Sequence, residues 1–192
     1  MNDTTAPSYL QHHFLIAMPQ LADPHFARTV IYLIDHNESG AMGLVINRDT
    51  GLTLAHVLDQ LRAGIQAAPD SQALPILAGG PVQTERGFVL HPCGWHYQAT
   101  HELGDGALAL STSLDSLVAI AEGHGPQRCL IALGYAGWGA GQLEAELLDN
   151  AWLTCPADPA ILFDIAPQER LGHAAASLGI DLALLAREAG HA

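Results

Sequence analysis

The sequence contains no lysine: all seven basic side chains among its 192 residues are arginines, set against 20 acidic ones. A lysine Schiff base and the lysine of a phosphate-binding P-loop are thereby excluded within the chain. Charge of either sign is scarce, at 14 % of residues against about 25 % in a typical domain. The balance still reaches −13 with histidine neutral. The arginines (Arg28, Arg48, Arg62, Arg86, Arg128, Arg170 and Arg187) lie at least 14 residues apart and form no basic tract. Phosphate neutralisation supplies most non-specific nucleic-acid affinity, so direct DNA binding is disfavoured.

Long apolar runs are missing as well. Phe14–Met18, Val30–Ile34 and Cys129–Leu133 are of strand length, whereas a membrane helix needs about 20 such residues. Met1 to His13 carries Asp3, no basic residue and no apolar signal core, so neither a secretory signal nor a membrane association is expected. The three cysteines, Cys93, Cys129 and Cys155, are odd in number and form no C-x-x-C. That pattern points to reduced thiols in the cytoplasm. Neither the H-E-x-x-H zinc helix nor the G-x-S-x-G nucleophile elbow occurs. With eleven histidines, the net charge should collapse as pH falls through the imidazole range.

What is present is ample apolar material, 49 % of residues, enough for one sizeable core. The length favours a single domain over residues 1–192, with 1–10 as a flexible lead-in. Phe14–Met18, Thr29–His36 and Ala41–Asn47 read as strands, the last two joined through Asn37-Glu38-Ser39-Gly40 as a hairpin. Thr53 caps a helix whose Leu54, Val57, Leu58 and Leu61 follow helical spacing toward a core. Ala63–Pro75 reads as an exposed loop before a strand at Ile76–Ala78. Phe88–His91, Gln98–Leu103 and Ala107–Ser111 are further strands, and Ser113 opens a helix with Leu114, Leu117, Val118 and Ala121 on one face. Cys129–Gly134 is a strand ending in a glycine-rich turn, followed by a short helix at Gln142–Leu148. Asp23-Pro24 and Asp158-Pro159 carry helix-start signals, and Pro167 and Asp181 open two terminal helices. Consecutive strands joined by short loops favour antiparallel pairing, hence an α+β fold with helices on a curved, partly closed sheet.

Candidate sites cluster at the glycine-rich segments. Gly134-Tyr-Ala-Gly137-Trp138-Gly139-Ala-Gly141-Gln142 follows a strand and opens a helix, the setting in which backbone N–H groups meet phosphate. Its G-x-x-G-x-G-x-G spacing is not the dinucleotide pattern, and Glu144 and Glu146 place negative charge where phosphate would sit. The competing reading, which is favoured, is close backbone packing around Trp138. Gly79-Gly80-Pro81, with Asn47, Arg48 and Arg86, forms either a small anion-binding cleft or a tight turn. His91-Pro-Cys93-Gly-Trp-His96 contains metal-ligand residue types at no standard zinc spacing, so no metal site is assigned. Glu144, Glu146 and Asp149 read as a solvated helix face, with a divalent cation as the less favoured alternative.

His13-Phe-Leu-Ile-Ala-Met-Pro19, Gly40-Ala-Met-Gly-Leu-Val-Ile-Asn47-Arg48, Gly79-Gly80-Pro81-Val82, Gly87-Phe-Val-Leu-His91 and Leu133-Gly-Tyr-Ala-Gly-Trp-Gly-Ala-Gly-Gln-Leu-Glu144 together resemble the YqgE/AlgH family of bacterial proteins. The resemblance spans roughly residues 8 to 190. It implies one α+β domain whose bifurcated, mostly antiparallel sheet forms a pseudo-barrel with surrounding helices. It implies no accepted catalytic residues and no cofactor, and it brings a transcriptional-regulator label that the charge balance opposes as direct DNA contact. The resulting expectation is a non-enzymatic cytoplasmic regulatory protein that binds a small molecule or a protein partner. Its candidate ligand residues are Asn47, Arg48, Gly79, Gly80, Arg86, Gly137, Trp138 and Gln142. The alternatives are an enzyme with its pocket at Gly79–Gly80 and Gly134–Gln142, and, less favoured, a DNA-binding regulator.

Overall fold

A computed structural model describes residues 9–61, 64–104 and 106–181. Its first three strands, β1 (His13–Ala17), β2 (Val30–Asn37) and β3 (Gly40–Val45), form an antiparallel meander rich in Ile, Leu and Val. The hairpin between β2 and β3 closes where expected, the Ser39 N–H donating to Asn37 Oδ1. β4 (Asp49–Thr53) leads into α1 (Leu54–Gln60), and α2 (Pro69–Gln72) precedes β5 (Pro75–Ala78). Then come β6 (Val82–Pro92), β7 (Thr100–Leu103), β8 (Leu108–Ser111) and α3 (Leu114–Ala121). The chain continues through β9 (Leu130–Gly139), α4 (Gln142–Leu148), β10 (Trp152–Pro156), α5 (Pro159–Phe163), a 3-10 turn at Pro167–Glu169 and α6 (Arg170–Ser177).

The strands run in the order β10-β1-β2-β3-β9-β6-β8-β7, with β5 parallel to β9 and β4 on β5. β9 is the pivot. Its first half, Leu130–Leu133, lies between β5 and β6, and its second half, Ala136–Gly139, pairs with β3. The sheet forks between them, at Gly134, and this split produces the curled, half-closed α+β architecture. The fork requires very close backbone approach. Gly134 has φ +72°, and a Cβ there would stand 2.5 Å from the Gly80 carbonyl oxygen. Gly80, at φ +153°, would bring a Cβ within 2.1 Å of the Tyr135 carbonyl carbon. Only glycine fits either position.

Among the described residues, three apolar clusters fill the fold. One, centred on Phe14, Tyr32, Leu44, Leu90 and Leu110, packs under α5 and α6. A second gathers Leu15, Ile31, Leu33, Trp138, Leu143 and Trp152 beneath α4. The third joins Leu54 and Leu58 of α1 to Leu117 and Ile120 of α3 over Ile76, Val89 and Ile131.

Several local expectations change. The glycine-rich stretch after Leu133 is strand, not turn: Gly137 pairs with Met42 and Gly139 with Gly40. β10 and β4 are strands that local composition did not signal, and β6 starts six residues earlier than expected, at Val82. Asp23-Pro24 starts no helix. Asp23 accepts the His25 N–H on its side chain and the Phe26 and Ala27 N–H groups on its carbonyl, but Arg28 turns left-handed at φ +60° and ends the winding. At Asp158-Pro159 the capped helix does form, Asp158 Oδ1 accepting the Ala160 N–H. Part of the Ala63–Pro75 loop is the one-turn α2. The helix expected from Asp181 lies outside the described residues. Of the N-terminal lead-in only Tyr9 and Leu10 are described, and the Leu10 N–H donates to His36 Nδ1 at 2.9 Å. No described helix is long and apolar enough to cross a membrane.

Candidate functional site

The motif residues assemble into a seam along the fork. Asn47 Oδ1 accepts the Val30 N–H at 2.8 Å, while its Nδ2 donates to the Arg28 carbonyl. Arg48 donates through Nη2 to the Ala27 carbonyl. These bonds pin the β1–β2 connection to the chain leaving β3. The Gly79 carbonyl accepts from Val45 N–H, and its own N–H donates to Leu133. Asn47, Arg48 and Gly79 are therefore engaged with the backbone around them, and Gly80 is packed against the Tyr135 backbone.

A second knot lies under α4. Trp138 and Trp152 both donate their indole N–H to Glu146 Oε2, at 2.9 and 2.8 Å. Gln142 donates to Glu146 Oε1 and accepts the Gly139 N–H on its own Oε1. Phe26 stacks on Trp138 and meets Trp152 edge-on. Glu144 pairs with the buried His36 at 2.9 Å. The expected solvated acidic face is thus half inward-pointing, because two buried indoles and an imidazole need acceptors. Backbone hydrogen bonding and His36 hold the Glu144 carboxyl below its ordinary range against the opposing effect of burial.

An open cavity is found elsewhere. A cleft of about 450 Å³ lies between α1, α3 and the inner part of β6, lined by Val57, Leu61, Gly87, Val89, Leu114 and Leu117 among others. Leu61 and Leu114 leave 52 % and 46 % of their surface exposed at its rim. Both were expected to face the core with their helical neighbours. Leu54, Leu58 and Leu117 do so, while Val57 is half-buried and turned to the cleft. One wall is hydroxylic, with Ser111, Thr112, Ser113 and Ser116, and Glu85 is the sole charged side chain among the lining residues. Helix α3 begins here at Ser113, with Asp115 in its first turn accepting the Gln98 N–H and the Ser116 N–H donating to the Ser113 carbonyl.

The outer wall is a bulge. Between Val82, opposite Tyr135, and Gly87, opposite Leu133, β6 carries extra residues, with Gln83 at φ +48°. Arg86 sits on this bulge, donating to Gln83 and covering the Phe88 ring at 5.3 Å. It lines a shallow depression that shares Thr84 and Glu85 with the cleft. Arg86 is the one sequence-predicted residue adjoining the cleft. None of Asn47, Arg48, Gly79, Gly80, Gly137, Trp138 and Gln142 lines it.

Behind the hydroxylic wall runs a buried relay. His91 Nδ1 donates to the Pro92 carbonyl at 2.9 Å, so its Nε2 accepts from Ser111 at 2.8 Å. Ser111 in turn accepts from Thr100, which accepts the Tyr97 N–H. Burial pushes the His91 imidazole below its ordinary pKa; the Pro92 bond opposes this and nearby His96 adds to it. His91 and Ser111 have no exposed surface, and both ends of the serine hydroxyl are used. No group of three or more His, Cys, Asp or Glu side chains among the described residues could hold a metal ion.

A forked sheet with a glycine-packed seam and an amphipathic cleft beneath two helices defines an α+β scaffold that carries no P-loop or dinucleotide loop. The model of the AlgH-like family (DUF179) matches residues 14–183, and the chain belongs to this family. It is 65 % identical over 188 residues to the UPF0301 protein AlgH of Pseudomonas aeruginosa, covering 98 % of each. It is 64 % identical to a UPF0301 protein of Stutzerimonas stutzeri over 98 % of this chain and 99 % of that one. The solution structure of AlgH from Pseudomonas aeruginosa superposes with a TM-score of 0.79 at 64 % identity over the whole of both chains. A crystal structure of a protein from Corynebacterium diphtheriae shares the fold, with TM-score 0.70 and 20 % identity over 92 % of this chain and 91 % of that one.

Proposed function

We propose that this protein is a non-enzymatic cytoplasmic binding protein whose ligand enters the cleft between α1 and α3, and that any effect on gene expression is indirect. The observation that carries this reading is the cleft itself, a cavity of about 450 Å³ with half-exposed Leu61 and Leu114 at its rim. That volume falls within the roughly 300–1,000 Å³ of small-molecule sites, which combine apolar walls with a few polar groups. The leucines suit an apolar ligand body. Ser111 and Ser116 on the hydroxylic wall already donate within the protein, so it is Thr112 that suits a hydrogen-bond acceptor on the ligand's head. Glu85 and the overall charge of −13 disfavour an anion, so an uncharged carbonyl compound fits best. The same charge disfavours DNA.

Nile red, a neutral apolar dye bearing a carbonyl, is a suitable probe. Its fluorescence should rise saturably with the full chain, and Leu61→Glu or Leu114→Glu, both at exposed positions, should weaken binding about tenfold, a change of about 1.4 kcal/mol. Equal binding by these variants, or none by the parent, would refute the cleft reading. Tight sequence-specific gel shifts at low salt would refute the indirect route.

Ser111 and His91 favour a second reading, acyl transfer, through their 2.8 Å contact. Covalent labelling of Ser111 by a fluorophosphonate would support it. Their complete burial makes an unlabelled protein the expected result.

A further inference from the structure

The N-terminal lead-in is fastened at one buried histidine. His36, near the end of β2, is 4 % exposed. Its Nδ1 accepts the Leu10 N–H and its Nε2 meets Glu144 Oε1, each at 2.9 Å. A backbone amide can only donate, so Nδ1 must be bare and the ring proton must sit on Nε2, donated to Glu144. Tyr9 packs edge-on against the imidazole at 5.3 Å, and Leu10 rests on the apolar cluster beneath α4 that holds Trp138 and Trp152. From Gln11 onward other bonds take over. The Gln11 side chain donates to the Ile34 carbonyl, and the His12 N–H donates to the Leu33 carbonyl.

A second proton on this ring would land on Nδ1 and face the Leu10 N–H, donor against donor. The charge around the ring nonetheless favours that proton. Among the described residues Glu144 is the acidic side chain within ion-pair distance of His36. Backbone hydrogen bonding chiefly holds its carboxyl below the ordinary range, so it is ionised wherever an imidazole titrates. Its Oε2 is buried with no hydrogen-bond partner among the described residues. On the same helix Glu146 is taken up by two indoles and Gln142. β3 and the adjoining Ala136–Gly139 of β9 carry no ionisable side chain. Asp35 and Glu38, on the hairpin of His36 itself, are exposed, and Asp35 accepts from Asn37. His12 and His13 bond to Tyr32 and to the Gln11 carbonyl. The Tyr9 phenol is the remaining titratable group against the ring.

We propose that His36 is a proton-operated latch: at neutral pH it holds the lead-in through Leu10, and its protonation releases Tyr9 and Leu10 and uncovers the tryptophan cluster beneath α4. The released form leaves Nδ1 free for a proton while Glu144 holds the imidazolium, so it binds that proton more tightly than the latched form. Falling pH therefore drives release. The latch is separate from the α1–α3 cleft and shares none of its lining residues.

Nitrogen shifts of the histidine rings and amide exchange of the full chain, followed from pH 8 to pH 5, test the latch. At pH 8 His36 should show a bare Nδ1 and a protonated Nε2. As the ring titrates, the Leu10 amide should lose protection about tenfold relative to its intrinsic rate, the effect of giving up one buried hydrogen bond. The amide of Leu15, fully buried in β1, should keep its protection. In His36→Gln the side-chain carbonyl accepts from Leu10 and the amide donates to Glu144 at every pH, so Leu10 should stay protected at pH 5. Should that variant fail to fold, Glu144→Gln removes the counter-ion and should move the release to lower pH. Leu10 protection that survives the titration of His36, or a His36 ring still neutral at pH 5, overturns the proposal. So does an equal loss in His36→Gln, or an unmoved transition in Glu144→Gln.

Discussion

The seam at the fork and the cleft between α1 and α3 are built from opposite materials. At the seam, Asn47, Arg48, Gln142 and Glu146 spend their polar atoms on neighbouring groups, and Gly80 and Gly134 leave no room even for a methyl. In the cleft, leucines stand exposed and Gly87 has nothing within 4 Å of where a Cβ would be. The recognisable motif residues lie mostly at the seam. What identifies the family is therefore largely what holds the sheet in its forked shape, while the surface free to meet a ligand is made of ordinary leucines and serines.

The sharpest way to break this contrast is a matched pair of glycine substitutions. Gly80→Ala would place its Cβ 2.1 Å from backbone that cannot move aside, at φ +153°. It should cost more than about 4 kcal/mol or prevent folding. Gly87→Ala meets open space and should change stability by less than about 0.5 kcal/mol while weakening Nile red binding. Urea midpoints at unchanged m-value measure both. Equal losses would dissolve the distinction between seam and cleft.

The carboxylates give a second, smaller contrast. Glu146→Ala strands two buried indole N–H groups at once and should cost about 3 kcal/mol, with a shift in tryptophan emission. Glu85→Ala, at the cleft wall, should stay within about 0.5 kcal/mol.

How far these features were legible in the sequence depends on whether their cause was local. The β2–β3 hairpin and the Asp158 cap were legible, because Asn37 and Asp158 act on backbone two residues away. The course of β9 through its glycines was not. Strand geometry there is imposed by β3 across the sheet, which overrides the turn propensity of Gly137 and Gly139. β4 was missed because its residues are polar and largely exposed, without the alternation that marks a half-buried strand. Helical spacing correctly placed Leu58 and Leu117 inside, but it could not separate them from Leu61 and Leu114. An apolar stripe looks the same whether it faces a core or a cavity. Glu146 was read as solvated because its partners, Trp138 and Trp152, are brought to it only by the pairing of β9 with β3 and β10 with β1.

Acidification sharpens the comparison from the cleft side, where the wall leans on His91. Its folded pKa lies below the unfolded value, about 6.5, chiefly through burial, so below that value the unfolded chain takes up the proton more readily. Stability is then complete above about pH 6.5 and declines as pH falls toward the folded pKa. Carboxyl groups held low, such as Glu144 and Asp115, lose their contribution only in more acidic solution. Urea midpoints between pH 7 and 5 should therefore fall in the parent protein and fall less in His91→Gln. Identical slopes would show that the relay is indifferent to the imidazole proton.

The smallest expected effect tests the cleft most directly. A leucine that packs in a core loses about 2–5 kcal/mol on truncation, so Leu117→Ala, at a buried position, should cost about 2 kcal/mol. Leu61 and Leu114 belong to the same apolar stripes by spacing, yet roughly half of each is in water. Leu61→Ser with Leu114→Ser should leave stability within about 0.5 kcal/mol. A protein holding two such leucines in water for packing alone would lose stability without them. One holding them for a ligand would lose only the ligand, so the double variant should unfold at the parent's urea midpoint and fail to brighten Nile red.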